Sequence, residues 1–199
     1  MNESETNRRE GQRWLSGAAL AILIVVALAL RWRYIQEISL FVDEFVTSWA
    51  ARNVLSRGLP SFPSGNLYPH GFLFTYLEVP FVLGAFNETL VRIPGLIVSL
   101  LGLLAAYWVG RRLFDRRVGL IAAAALAVDP DCIVWGGRAR MYGLLQLLTL
   151  LAVFFWYRGL RDDRPRDRFL AMILVVAAVF THAEAALLLP ALGLAALAA

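Results

Sequence analysis

Long, nearly uninterrupted apolar runs recur along the chain, separated by short segments rich in arginine. A helix needs about 20 consecutive apolar residues to cross the hydrocarbon of a bilayer. No water is available there, so backbone N–H and C=O groups must be satisfied by helices or closed barrels. These runs are long and lack strict alternation, which specifies helices. The expected fold class is therefore an all-α polytopic membrane protein. Composition agrees: 59% of residues are hydrophobic and 17% charged, against roughly 25% charged in soluble domains. The net charge of +4 is then no nucleic-acid footprint; membrane lipids are the expected surroundings. Cys132 is the single cysteine, which excludes an intrachain disulfide and a cysteine-based metal site.

The expected organisation is a polar cytoplasmic tail over residues 1–13, then spans near 14–34, 90–110, 118–134, 141–157 and 169–184. A further span begins at 185–199. That last run ends without the polar or basic margin that normally closes a span, and it reads as the amino-terminal part of a longer protein. Ala27-Leu28-Ala29 resembles a signal cleavage site, but the run is longer than a signal core and has aromatic flanks, which favours a retained anchor.

Arginine placement sets the orientation. Arg8, Arg9 and Arg13, then Arg111, Arg112, Arg116 and Arg117, then Arg158, Arg161, Arg164, Arg166 and Arg168 form three clusters. The positive-inside rule places all three on the cytoplasmic side. Two crossings, near 14–34 and 90–110, satisfy this only if the apolar stretch Gly71–Phe86 does not cross. Residues 36–86 then form an extracytoplasmic loop. Within it, Phe45, Val46, Trp49, Ala50 and Val54 recur at helical spacing, and Gly58 and Pro60 stop the helix. Such a helix lies along the membrane surface.

The same outer face collects the residues with chemical potential. Asp43 and Glu44 are adjacent carboxylates at the start of the surface helix. Asp43 suits a helix N-cap, and it equally suits a base that removes a proton from an acceptor hydroxyl. Asp129-Pro130-Asp131 stands at an outer helix end, where two acids could share a divalent cation or simply be solvated. Arg138, Arg140 and Tyr142 sit in a Gly136-Gly137 turn, which suits a phosphate clamp as well as interfacial anchoring. His182, beside Thr181 and Glu184, joins them as a phosphate contact or an interfacial histidine. P-loop, nucleophile-elbow, H-E-x-x-H and CxxC signatures are all absent.

The order of motifs resembles a known family. A first span is followed by Asp43-Glu44, then Tyr68-Pro69-His70-Gly71, Leu90-Val91-Arg92-Ile93-Pro94, Gly110-Arg111-Arg112-Leu113-Phe114 and Ala139-Arg140-Met141-Tyr142. This is similar to the amino-terminal half of GT-C fold glycosyltransferases of the protein mannosyltransferase and aminoarabinose transferase group (glycosyltransferase family 39-like). The resemblance covers roughly residues 15–190. It implies a transmembrane helical core with interfacial helices in the first extracytoplasmic loop. It also implies a polyprenyl-phosphate sugar donor, a protein or glycolipid acceptor, and inversion at the anomeric carbon.

Carried over residue by residue, the resemblance makes Asp43 the base and Glu44 its supporting neighbour. It also places Arg140, Tyr142 and His182 near the donor phosphate. By its own chemistry Arg138 is a further candidate for that phosphate, and His70 and Glu78 are expected at the acceptor or donor pocket. A divalent cation, Mg or Mn, at Asp43 or at Asp129 and Asp131 could assist the leaving phosphate; some GT-C enzymes use one and others do not. Two departures stand out. Relatives often carry Lys-Pro-Pro where this chain has Tyr68-Pro69-His70-Gly71, and Glu where it has Arg138. Other readings of the same residues are a transporter or flippase of lipid-linked sugars, and a membrane assembly protein without activity. Transporters tend to keep ionisable groups at mid-membrane, whereas here the acids gather at a rim.

Overall fold

The computed structural model describes residues 3–197. Among these the chain is all-α: α1 (Glu3–Glu37), α2 (Val42–Arg57), α3 (Phe72–Glu78), α4 (Glu88–Leu113), α5 (Arg116–Val128), α6 (Pro130–Gly136), α7 (Tyr142–Arg161), α8 (Pro165–Thr181) and α9 (Leu188–Leu197). Short 3₁₀ segments follow α3 and α8. By length and composition α1 (from Trp14), α4 and α7 can each cross a membrane, and α5 with α6 makes a fourth if the bent pair is one span. α3 is seven residues long, about 10 Å at 1.5 Å per residue, and is too short to cross.

Tight connections make the long helices neighbours. Asp115 caps α5 by accepting from the N–H groups of Arg117 and Val118 at 2.7 and 2.9 Å, so α4 and α5 fold back on each other across two residues. They approach closely because Gly110 meets Gly119, where a Cβ would come within 2.8 Å of backbone. Between α7 and α8, Arg158 grips Asp167 with two bonds of 2.6 and 2.7 Å. α4 and α7 run side by side in the same direction, with Gly143 near Gly95 and Ser99 and the Trp108 and Phe154 rings 4.7 Å apart, so the arginine clusters at 111–117 and 158–168 share one end of the bundle. The connections after α1, α6 and α8 gather at the other, loop-rich end.

Small residues dominate the packing. Ala27 of α1, Leu103 of α4 and Ala123 and Ala127 of α5 form one core. Phe74, Val98, Met141 and Leu144 form another, joining α3, α4 and α7. Outward-facing positions such as Leu15, Ile22 and Val25 of α1 stay exposed, as they would against lipid.

The expected span at 118–134 is broken: α5 and α6 meet at 66°. Pro130 supplies no N–H and forces Asp129 into an extended conformation (ψ 126°). The Asp129 carboxylate then caps α6 by accepting from Cys132 N at 2.8 Å. The carbonyls left unpaired at the end of α5 are taken up by Arg31, buried within the bundle. Its Nη1 donates to Ala127 O at 3.2 Å and its Nη2 to Leu126 O at 2.9 Å, while Nε reaches Ser99 Oγ at 2.7 Å. The break thus re-aims the chain so that the 137–141 turn comes to lie against α2 and α4.

Candidate active site

The site is assembled around a carboxylate that faces no solvent. Phe41 is extended (φ −83°, ψ 152°) and starts α2. Glu44, three residues on, turns back to accept from Phe41 N at 2.9 Å, the reciprocal bond of a capping box. The same carboxylate accepts from Arg92 Nε at 2.8 Å, Arg92 Nη2 at 3.0 Å and Ala139 N at 2.9 Å. Arg92 is equally engaged: Nη1 donates to the carbonyls of Ile35 (3.1 Å) and Ile38 (2.6 Å), and Nη2 also reaches Ser39 O at 3.0 Å. Both side chains are fully buried. Burial pushes the Glu44 carboxyl up, but bonding to Arg92 and to the N–H groups of Phe41 and Ala139 outweighs it and holds the group below the usual carboxylate range.

Two sequence-based expectations change here. Asp43 does not cap α2; that position belongs to Phe41. Glu44 spends its oxygens on protein donors and has no exposed surface, so it positions the site instead of meeting substrate.

The clamp holds the turn carrying Arg138 and Arg140 against the turn of α2 carrying Asp43. Gly95 lets the turn sit this close, since a Cβ there would collide with the Arg138 carbonyl. Arg140, buried to 8% exposure, donates from Nη1 to Thr47 Oγ1 at 3.1 Å and Tyr68 Oη at 3.0 Å. Its Nη2 lies 3.7 Å from Asp43 Oδ2. Asp43 is the member of the acidic pair that looks out, with a side chain 53% exposed. The Tyr142 ring lies 5.8 Å from the Arg140 guanidinium, against Trp135 at 4.3 Å and near His182 at 5.8 Å. Asp43, Arg140, Tyr142 and His182 therefore form one continuous patch at the loop-rich end.

The other expected residues divide differently. Arg138 is held by Tyr34 Oη at 2.8 Å and lies over the rings of Phe41 and Trp135, a brace more than a free clamp. His70 is exposed, with its ring 6.0 Å from that of Tyr68. Asp129 is occupied as the α6 cap, and Asp131 borders a small crevice with Cys132, Gln146 and Tyr142. Among the described residues no group of three or more His, Cys, Asp or Glu side chains could hold a metal ion. Tyr68, the buried hydroxyl bridging Thr47 and Arg140, was invisible to sequence patterns; its one signal was its place beside Pro69-His70.

Glu78, expected in a substrate pocket, is instead completely buried. One oxygen bonds Ser48 and the other has no hydrogen-bond partner. Burial raises its pKa to about 8; the Ser48 bond and Arg140 offset this in part, and the charge of Glu44 adds to it. Ser48 also donates to Glu44 O at 3.0 Å. Its single proton cannot serve two acceptors, so a protonated Glu78 that donates to Ser48 completes the network. Between its ordinary carboxylate pKa and about 8 the folded protein keeps a proton that the unfolded chain has lost, so stability falls as pH rises through that window. Glu78→Gln should remove this slope. Melting temperatures of both proteins from pH 5 to 9 in detergent would test it; parallel curves would show that Glu78 does not carry the proton.

Helices of bilayer length thus gather an exposed carboxylate, a guanidinium and stacked aromatic rings at one end. The profile of the dolichyl-phosphate-mannose-protein mannosyltransferase family matches residues 70–199, and the chain belongs to this GT-C glycosyltransferase family. It is a membrane glycosyltransferase. The matched region holds Arg92, Arg140, Tyr142 and His182 and begins beyond Asp43 and Glu44. Comparisons with curated proteins and with solved structures give no match.

Proposed function

We propose that the protein transfers a sugar from a polyprenyl-phosphate donor to a hydroxyl of a protein or glycolipid acceptor, with inversion, at the extracytoplasmic face. The chain is then a multi-pass protein with its arginine-rich end in the cytoplasm, following the positive-inside rule. The observation that carries the reading is the exposed Asp43 carboxylate set 3.7 Å from the buried Arg140 guanidinium. Asp43 accepts the proton of the acceptor hydroxyl as its oxygen attacks the anomeric carbon. The C–O bond to phosphate breaks on the opposite face of the sugar. Polyprenyl phosphate is a competent leaving group, so the step needs a base and charge stabilisation more than a strong acid. Arg140, fixed by Thr47 and Tyr68, meets the phosphate without reorganising, and Tyr142 and His182 close the same patch.

Where Mg or Mn takes part, Asp43 is the exposed carboxylate that would hold it. The ion would supply charge neutralisation at the phosphate. Asp129 fits less well, because its carboxylate already caps α6.

The test is transfer of labelled sugar from a short polyprenyl-phosphate donor to peptide and glycolipid acceptors by purified protein in liposomes. Labelled product is expected. Movement of the intact lipid-linked sugar between leaflets without product would make the protein a transporter, and neither activity would leave a non-catalytic assembly role.

A further inference from the structure

The proposed reaction leaves one face of α2 unused. Successive helix residues are about 100° apart, so Phe45, Trp49, Arg52 and Ser56, spaced by four, three and four, form a single stripe. Asp43 and Thr47, two residues to either side of Phe45, point to the opposite side. The buried face of α2 comprises Glu44, Thr47, Ser48, Ala50 and Ala51, while Phe45 and Trp49 remain 42% and 46% exposed. The helix thus turns Glu44, Thr47 and Ser48 into the protein and the rings of Phe45 and Trp49 outward. Along that outward stripe runs a groove of about 560 Å³, walled by Phe45, Trp49, Val82 and Phe86. Phe45 meets Trp49 and Phe86 edge-on at 5.4 and 5.7 Å. Arg52 stands at its lip.

Arg52 differs from its neighbours. Asn53 donates to Ser61 O and Arg57 to Phe62 O and Pro63 O, whereas Arg52 makes no hydrogen bond or ion pair among the described residues. No acid of α2 can serve it: Glu44 is consumed by Arg92, and Asp43 lies on the opposite side of the helix. We propose that this groove binds an anionic phospholipid of the bilayer, with an acyl chain against the aromatic wall and the phosphate on Arg52. Charge complementarity selects the occupant. A phosphodiester supplies the acceptor oxygens that an arginine fork matches, and a headgroup with net negative charge leaves no competing cation beside it. The donor lipid shares a phosphate and an apolar chain, but it must present its sugar to Asp43 around the other side of the helix. This proposal rests on the membrane setting of α2 and not on sugar transfer, so either can fail alone.

The test uses the full chain in nanodiscs whose phospholipids carry bromine on their acyl chains, which quenches nearby tryptophan. The Trp49 signal is taken as the difference between the native protein and Trp49→Phe. Quenching by brominated phosphatidylglycerol is expected at roughly fivefold lower lipid fraction than by brominated phosphatidylcholine, the factor one interfacial arginine provides. Arg52→Gln should equalise the two lipids while retaining quenching. Equal quenching by both lipids in the native protein would overturn the proposal, as would a phosphatidylglycerol preference that survives Arg52→Gln. Relief of quenching by equimolar polyprenyl phosphate or by an acceptor peptide would assign the groove to that molecule instead.

Discussion

Replacing Asp43 by asparagine is expected to slow sugar transfer by about 10²–10⁴-fold, the span of a lost general base, while leaving the melting temperature unchanged. The asymmetry follows from the geometry. The Asp43 side chain is half exposed and its one ionic contact is the 3.7 Å approach to Arg140, so little of the fold depends on its charge. The pair is loose and solvated at its Asp43 end, and Arg140 keeps two other partners, so its loss should cost no more than about 1 kcal/mol. Asparagine keeps the shape and the backbone carbonyl that accepts from Thr47 Oγ1. Arg140 retains its bonds to Thr47 and Tyr68, so donor KM should stay close to native while kcat falls. Single-turnover transfer, with melting followed on the same preparation, separates the two quantities. A folded Asp43→Asn protein that transfers at the native rate would remove Asp43 from the reaction and return the role of base to another group.

Much of the architecture is legible from the runs of apolar residues, because a bilayer admits so few backbone solutions. α1, α4 and α7 cover the apolar runs near 14–34, 90–110 and 141–157, and the side-by-side packing of α4 and α7 brings the arginine clusters at 111–117 and 158–168 to one end of the bundle. The break at Asp129-Pro130 was equally visible as a residue pair, but apolar length on both sides masked it. Two other features have a physical reason to be hidden. On α2, hydrophobic periodicity identifies which face meets an apolar neighbour, yet for a helix at a membrane that neighbour can be lipid. Phe45 and Trp49 accordingly look outward, while Glu44, Thr47 and Ser48 face the protein. The partner of Glu44 is 48 residues away, and no local pattern pairs them. A clue did exist in the chemistry: Arg92 sits in the first turns of an apolar helix, where an unpaired charge would be costly.

Removing that partner should have the largest effect on stability. Arg92→Met fills similar space but leaves the Glu44 carboxylate buried with its counter-charge gone, and breaking such a pair costs about 3–5 kcal/mol. The usual remedy is to make both members apolar, since a buried pair that bonds mainly to itself can often be replaced without loss. Here the remedy should fail. Between them the two side chains satisfy the N–H groups of Phe41 and Ala139 and the carbonyls of Ile35, Ile38 and Ser39. Each backbone group left buried and unpaired costs about 1–3 kcal/mol, so Glu44→Leu with Arg92→Met should be no more stable than Arg92→Met alone. Transfer should fall in both variants and in Glu44→Leu alone, because Glu44, oriented by Arg92, holds the Arg140 turn against Asp43 through the Ala139 N–H. Unfolding in mixed micelles of dodecyl maltoside and SDS gives the free energies for the double-mutant cycle. A double variant that recovers native stability would mean that the backbone groups find other partners and that Glu44 and Arg92 serve chiefly each other.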